Sequence, residues 1–416
     1  MNKKNQVAIV SVGSELTQGF TQNTNEIFLS RELRILGFEV ALQLTIPDNA
    51  EFFSVFVKKT IQSGIKNILI TGGLGPTADD KTRTFLANLA EVSLKYDPEA
   101  ENSIQEYFEK TKRIYPKENK IQAYIPESAT WIKNFNGTAP GICMVVKGCR
   151  IFAMPGVPAE MKSMFLTHIR PYFESQKAGD FFSKEFLLLD IHEPDLQKIL
   201  DNIAFPEDVQ WSSLPEEDGI HFRLYTSRAD SLNLATQLFK KAFSENTTAI
   251  IVNESGDSLA NSLVKFLKER HLTLSSAESC TGGLFASEIV SVPGSSDVFN
   301  GSVVSYTNQV KNELLNVQKE SLEKFSAVSA EVVEEMAKGV LKQCKSAVSV
   351  ATSGIAGPGG GTKETPVGFI CFAIADKDKT ISFSKNFSGT RNEIRKKSVF
   401  YLMSQLFVYL SKKYSK

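Results

Sequence analysis

Strand-like apolar runs alternate with amphipathic runs along this chain, and they do so twice, near its beginning and again near its end. In the first stretch Gln6–Val12, Glu39–Thr45 and Asn67–Thr71 have the pattern of short strands, and helical patterns near Asn25–Leu36 and Phe52–Gln62 fill the gaps. Parallel strands need a crossover connection, usually a helix, so this alternation constrains the chain to βαβ units around a mainly parallel sheet. A strand at Arg150–Met154 runs into "PGVPAEMKSMF", where Pro155, Gly156 and Pro158 punctuate the entry to another helix. The alternation resumes with Leu272–Ser276, a helix after Thr281, Ser302–Tyr306 and a helix over Ala330–Cys344. It closes with Ala347–Thr352, Phe369–Ala375, Ile381–Phe387 and a last helix from Arg391. Between the two stretches lie shorter elements: Phe186–Ile191, a helical Asp195–Ile203, His221–Tyr225, a helical Leu232–Phe243 and Thr248–Val252. The polar "NESGDS" follows, with Asp257 or Ser258 placed to cap a helix through Arg270. The expected fold class is α/β: two α/β sandwich domains with mainly parallel sheets, residues 1–172 and 253–416, joined by a small α/β connector over 173–252. A length of 416 residues, too great for one ordinary core, agrees with this division.

Composition narrows the function classes. At 42% hydrophobic and 23% charged residues the chain is globular in character. Lys plus Arg and Asp plus Glu both number 47, so no global positive field attracts nucleic acid or an anionic membrane. The run Gln6–Val12 is too short for a signal-peptide core, and no apolar stretch reaches the roughly 18 to 20 residues that span a bilayer. Five scattered cysteines without CxxC spacing argue against a disulfide framework and a thiolate metal site, and a reducing, cytoplasmic setting is expected.

Two segments carry chemistry. In "ILITGGLGPTADDKT", Gly72, Gly73 and Gly75 follow a strand and precede a helix, where missing side chains let backbone N–H groups approach an anion. Asp79 and Asp80 beside them are placed to hold a divalent cation that bridges phosphate oxygens. Spacing alone leaves equally open a tight turn with acidic residues at a helix N-terminus. In the second segment, "SSAESCTGG", Ser279, Thr281, Gly282 and Gly283 open a helix after a strand, which suits a phosphate or oxyanion, or an ordinary capped turn. Cys280 lacks a histidine to activate it: His168, His192, His221 and His271 all lie outside the glycine-rich segments, so the cysteine reads as packed. Ser295 and Ser296 after a Pro-Gly turn, with Tyr306 and Lys311 further on, offer a histidine-free hydrolytic centre. A lysine base must be desolvated, since lowering its pKa from ~10.4 toward 7 costs roughly 4 kcal/mol. On spacing alone a helix cap and a solvated charge are the better description of Ser296 and Lys311. The glycine-rich "GIAGPGGGTKETPVG" lies between two strands, which favours a site loop over a linker.

The motifs "VGSELTQGFTQNTN", "GGLGPTADDKT", "NGTAPG" and "MPGVPAEM", in that order, resemble the N-terminal, molybdopterin-binding-like domain of CinA proteins. The resemblance implies a nucleotide or pterin site at Glu15, Asn23, Asn25, Gly72, Gly73, Gly75, Thr77 and Asp80, and an ADP-ribose pyrophosphatase activity held by some members. Ser14 departs from the Thr or Asp that many relatives carry. A divalent metal at Asp79 and Asp80 is the cofactor expected there. The motifs "AESCTGG", "PGSS", "SYTNQVK", "AVS", "TSGIAGPGGGT", "PVGFI" and "SGTR" resemble the CinA C-terminal domain, the nicotinamide mononucleotide amidohydrolase family. Carried across, Ser296 is the nucleophile, Lys311 its base and Tyr306 the hydroxyl that orients or stabilises the lysine, with no cofactor. Ser279, Thr281, Gly282, Ser353, Gly354 and Gly357 supply oxyanion and phosphate donors, and Arg391 meets the substrate's charged groups. The resemblance further implies pyridine nucleotides as ligands and a homodimer. A nucleotide- or pterin-binding protein with a silent C-terminal domain is the rival expectation, and an interaction role in competence or DNA repair a weaker one.

Overall fold

The computed structural model of the chain describes residues 5–176 and 179–414. By compactness the chain divides into two units, Met1–Phe182 and Ser183–Lys416, so the connector expected between two domains belongs to the second unit.

The first unit contains β1 (Gln6–Val12), β2 (Glu39–Ile46), β3 (Asn67–Thr71), β4 (Leu94–Tyr96), β5 (Tyr124–Pro126), β6 (Thr130–Ile132), β7 (Gly141–Val146) and β8 (Cys149–Met154). Its main sheet runs β2-β1-β3-β8-β7-β6; the first four strands are mutually parallel, β7 is antiparallel to β8, and β6 is antiparallel to β7. Alternate side chains of β1 bury on opposite faces: Val7 and Ile9 against Leu29, Leu33 and Met161, and Ala8, Val10 and Val12 against Phe53, Val57 and Phe85. A strand covered on both faces must be apolar throughout, which is why Gln6–Val12 stood out as an unbroken run. Asn23 and Asn49 cap the helices Thr24–Ile35 and Ala50–Gln62 by accepting backbone N–H bonds in their first turns. The antiparallel pair β4 and β5 and strand β6 are three residues each and show no period that a sequence pattern could reveal.

The second unit begins with a four-stranded sheet, β10-β11-β9-β12, of β9 (Phe182–Leu189), β10 (Gln210–Glu216), β11 (Gly219–Thr226) and β12 (Ile250–Asn253). Phe186 and Leu188 of β9 enter the core beneath the helices Glu193–Leu200 and Ala229–Asn246, whereas Leu187 and Leu189 enter the core of the segment that follows. One strand thus serves both cores and ties the connector to the C-terminal sheet. That sheet runs β14-β13-β15-β16-β17, with β13 (Leu274–Glu278), β14 (Phe299–Val304), β15 (Val348–Gly354), β16 (Phe369–Asp376) and β17 (Thr380–Asn386). The strands β14, β13 and β15 are parallel, β16 is antiparallel to β15, and β17 is antiparallel to β16. Residues of Leu259–Glu269, Leu284–Val290 and Arg391–Lys413 bury in one core beside it and those of Ala330–Cys344 in another. No helix among the described residues is long and apolar enough to cross a membrane.

Candidate functional site

In the first unit the loops leaving β1, β3 and β8 line a cavity of about 490 Å3. Ligand sites in parallel sheets collect at the carboxyl ends of strands, because adjacent crossovers part there. The glycine loop is fixed by its own packing. A Cβ on Gly72, at φ 109°, would fall 2.0 Å from the Val12 carbonyl oxygen, and one on Gly73, at φ 67°, would fall 2.3 Å from Thr82 Oγ1. Arg83 is buried and donates to the Leu74 and Gly75 carbonyls, bracing the loop from within, and burial pulls its guanidinium down to about 10. Glu15, Asn23, Asn25, Gly72, Gly73, Gly75, Asp79 and Asp80 all line the cavity. Thr77 does not line it; its amide and hydroxyl donate to Asp80, so it shapes the turn. Ser14 donates through its amide and hydroxyl to Asp48, at 2.8 and 3.0 Å.

The electrostatics of this cavity were not legible in the motifs. Glu15, Asp48, Asp79, Asp80 and Glu160 line it, and among the described residues no lysine or arginine does. Burial pushes the Glu160 carboxyl up against the opposing hydrogen bond from Asn134. Asn25 is 7% exposed; its amide nitrogen donates to Thr71 Oγ1 and the Gly156 carbonyl, while its Oδ1 has no partner. A phosphate among these carboxylates would need a cation to neutralise it. Among the described residues Asp79 and Asp80 belong to no group of three metal-ligating side chains with ligand atoms within 4.8 Å. They suit a cation that shares its coordination between one or two carboxylates and a ligand's phosphate oxygens.

In the second unit the carboxyl ends of the parallel strands β13, β14 and β15 meet at a smaller cavity of about 260 Å3, lined among others by Ser279, Tyr306, Lys311, Ser353 and Arg391. Ser279 follows β13, and its amide donates to the Thr352 carbonyl of the neighbouring strand at 3.0 Å. Lys311 lies in the helix Asn308–Leu315, which Thr307 caps by accepting the Val310 amide. That cap starts the helix directly after β14, so the lysine side chain reaches back across the strand end. Lys311 is 1% exposed, and its Nζ stands 3.0 Å from Ser279 Oγ and donates to the Ser305 carbonyl at 2.8 Å. Among the described residues no carboxylate bonds to it. Desolvation therefore dominates and pulls the amine from the ordinary 10.5 down to about 8. With such a value about a tenth of the amines are neutral at pH 7, against roughly one in three thousand for an ordinary lysine.

Several expected roles change. Ser296 is exposed, in the short turn Ser295–Asp297 before β14, whereas Tyr306 and Lys311 come after it; the six-residue strand, about 20 Å long, separates them. The serine that meets Lys311 is Ser279. The Tyr306 hydroxyl does not orient the lysine: it accepts a bond from Arg391 Nη2 at 2.9 Å, and the Ser305 carbonyl takes the orienting role. Arg391 also donates through Nη1 to the Gly357 carbonyl at 2.6 Å, which fixes it at the cavity rim. Ser353, Gly354 and Gly357 line the cavity, with the Ser353 hydroxyl turned to the Ala327 carbonyl. Thr281 and Gly282 are not among its lining residues. The Thr281 hydroxyl pairs with that of Thr352, and its carbonyl accepts from Arg395 Nη2 at 2.8 Å. Cys280 lines the cavity but is buried, and its thiol is pushed up to about 12. Glu278, Thr352 and Arg395 were passed over in the sequence, where only the acidic residue beside Ser279 gave any signal.

Glu216, Asp218 and His221 form the one group of three metal-ligating side chains that meet within 4.8 Å among the described residues. Asp218 is already satisfied there, by His221 Nε2 at 2.9 Å and by the amide of Leu259, at the start of the helix Leu259–Glu269. The group is an ion pair that ties the β10–β11 hairpin to that helix.

Known proteins match both parts and the whole. A family model described as "Probable molybdopterin binding domain" matches residues 8–175, and one described as "CinA C-terminal domain" matches residues 256–410. An α/β chain with these two domains in this order is a CinA-type protein. The chain belongs to the CinA family: the CinA-like protein of Thermotoga neapolitana is 35% identical over 98% of each chain. That of Pseudothermotoga lettingae is 36% identical over 88% of this chain and 89% of its own. Among solved structures, the competence/damage inducible protein CihA from Agrobacterium tumefaciens is 36% identical, covering 37% of this chain and 93% of that one at a TM-score of 0.36.

Proposed function

We propose that the C-terminal module hydrolyses the carboxamide of nicotinamide mononucleotide, giving nicotinate mononucleotide and ammonia, with Ser279 as nucleophile and Lys311 as general base. The observation that carries this reading is a fully buried, desolvated amine 3.0 Å from a serine hydroxyl on the wall of a cavity. Neutral Lys311 takes the Ser279 proton as Oγ attacks the carboxamide carbon. The tetrahedral intermediate collapses as Lys311 returns that proton to the departing nitrogen, and ammonia leaves. Water, deprotonated by the same amine, then adds to the acyl-enzyme; the carboxylate departs and Ser279 Oγ regains its proton. Backbone amides of the segment Gly354–Gly360 are the candidate oxyanion donors, and Arg391, held by Tyr306 and Gly357, the candidate contact for the substrate phosphate.

The N-terminal cavity supports a second reading, because five carboxylates and, among the described residues, no lining lysine or arginine suit a phosphate ligand that arrives with a divalent metal. Asp79 and Asp80 are the candidates to hold that metal together with the ligand's phosphate oxygens, and it would polarise a phosphoryl oxygen; ADP-ribose hydrolysis is the activity proposed there. A homodimer in the cytoplasm, acting on pyridine nucleotides, completes the proposal by family resemblance.

The test incubates full-length protein with nicotinamide mononucleotide and follows ammonia, with and without chelator, beside Ser279→Ala, Ser296→Ala and Lys311→Ala. Release that resists chelator, survives Ser296→Ala and is lost in the other two variants supports the reading. Loss in Ser296→Ala alone would return the nucleophile to that residue, and no release by wild type would favour a nucleotide- or pterin-binding protein with a silent C-terminal domain.

A further inference from the structure

The turn that carries Ser279 is anchored by a buried carboxylate that touches neither the cavity nor the lysine. Glu278 is 0% exposed. Its Oε2 accepts the amides of Gly283 at 2.9 Å and Phe285 at 3.1 Å, and its Oε1 accepts the amide of Ala286 at 2.9 Å. The hydroxyls of Ser276 and Ser302 lie 3.4 Å from Oε1. Among the described residues no lysine or arginine pairs with it, and the hydrogen bonds of this buried carboxyl group come from backbone amides at the start of the helix Leu284–Val290 and from these hydroxyls. Those amides are therefore already filled. The turn between, Ser279 to Gly283, is bounded by Glu278 on one side and by the amides it holds on the other. The Thr281–Thr352 hydroxyl pair and the bond from Arg395 to the Thr281 carbonyl hold its middle.

We propose that Glu278 is a positioning residue: by taking the three amides that follow the turn, it fixes Ser279 Oγ at hydrogen-bond distance from Lys311. The inference rests on the Ser279–Lys311 reading of the site. Both atoms lie on separate elements, the end of β13 and the helix Asn308–Leu315, so their separation is set by how the turn is held, and a displacement of about 1 Å can cost a hundredfold in rate. Glu278→Gln keeps the shape and one carbonyl oxygen, enough for Gly283 and Phe285, but sets an NH2 group against the Ala286 amide.

The experiment compares full-length wild type with Glu278→Gln in two assays, ammonia release from nicotinamide mononucleotide and the rate at which an aryl fluorophosphonate labels Ser279, read by mass spectrometry. The expected result is a fall of about tenfold to a hundredfold in kcat and in labelling rate, with KM within about threefold of wild type. Wild-type kcat and labelling in the variant would overturn the proposal, as would a raised KM at unchanged kcat, which would make Glu278 a shaper of the binding surface. If wild type is labelled but releases no ammonia, the amidase reading fails and the labelling rate alone decides the role of Glu278. Absence of labelling at Ser279 in wild type overturns both. Should the variant not fold, hydrogen exchange in the wild type decides: protected amides at Gly283, Phe285 and Ala286 support the anchor, and exchange at the free rate refutes it.

Discussion

Lys311 is expected to weaken the fold it serves, and Lys311→Met exposes this. Its amine titrates near 8 in the folded protein and near 10.5 when unfolded. Below pH 8 both states are protonated and the folded state bears the whole cost of a desolvated charge, about 3 kcal/mol at 1.36 kcal/mol per pKa unit. Between about 8 and 10.5 the unfolded chain holds a proton that the folded protein has released, so stability rises with pH across that window; above it the cost is gone. Methionine matches the length of the side chain without the charge, but forfeits the bonds to the Ser305 carbonyl and Ser279 Oγ, about 1 kcal/mol each. The variant should therefore be more stable than wild type by about 1 kcal/mol at pH 7 and less stable by a similar amount at pH 10, while releasing no ammonia. Urea denaturation of both proteins at the two pH values reads the difference. Hydrogen exchange over residues 308–315 provides a local measure, since a chain of two units need not unfold in one step. A gap between variant and wild type that does not change between pH 7 and pH 10 would refute the desolvated-lysine argument.

The same amine sets the pH profile: log kcat/KM should rise with unit slope to a bend near pH 8, and a flat profile from pH 6 to 9 would exclude Lys311 as the base. Cys280→Ser should keep kcat within about threefold, because burial holds the thiol protonated; inactivation by that change, or by iodoacetamide at Cys280, would reopen its role. Arg391→Ala should raise KM about tenfold or more with a smaller change in kcat, and Tyr306→Phe should do so more mildly by freeing the guanidinium. Equal losses of kcat in the Arg391 variant would place the arginine at the reacting atoms instead. Gly72→Ala should destabilise the first unit by about 2 kcal/mol or more, since its Cβ meets the Val12 carbonyl; an unchanged urea midpoint would show that the loop can relax.

The amino-acid sequence by itself determined the elements and the layers. Runs such as Gln6–Val12 and Ala330–Cys344 could be delimited because burial on both faces, or on one helical stripe, leaves a periodic apolar trace in the chain. Motif order alone placed the glycine loop, Lys311 and Arg391. What it left open was which groups meet. Ser279 and Ser296 are both serines in turns upstream of the same lysine. Strand direction decides between them, since Ser279 ends β13 beside the end of β14 while Ser296 precedes the start of β14. Burial is likewise a property of the assembled layers. Nothing local to "SYTNQVK" says that its lysine is 1% exposed with no carboxylate partner among the described residues, yet that is what turns an ordinary charge into a candidate base. The carboxylates of the N-terminal cavity come from segments as far apart as Glu15 and Glu160, so their gathering without a basic residue follows from loop convergence at the carboxyl edge of a parallel sheet. Periodicity is written in near neighbours along the chain, whereas electrostatics depends on distance in space, and only the tertiary structure supplies that distance.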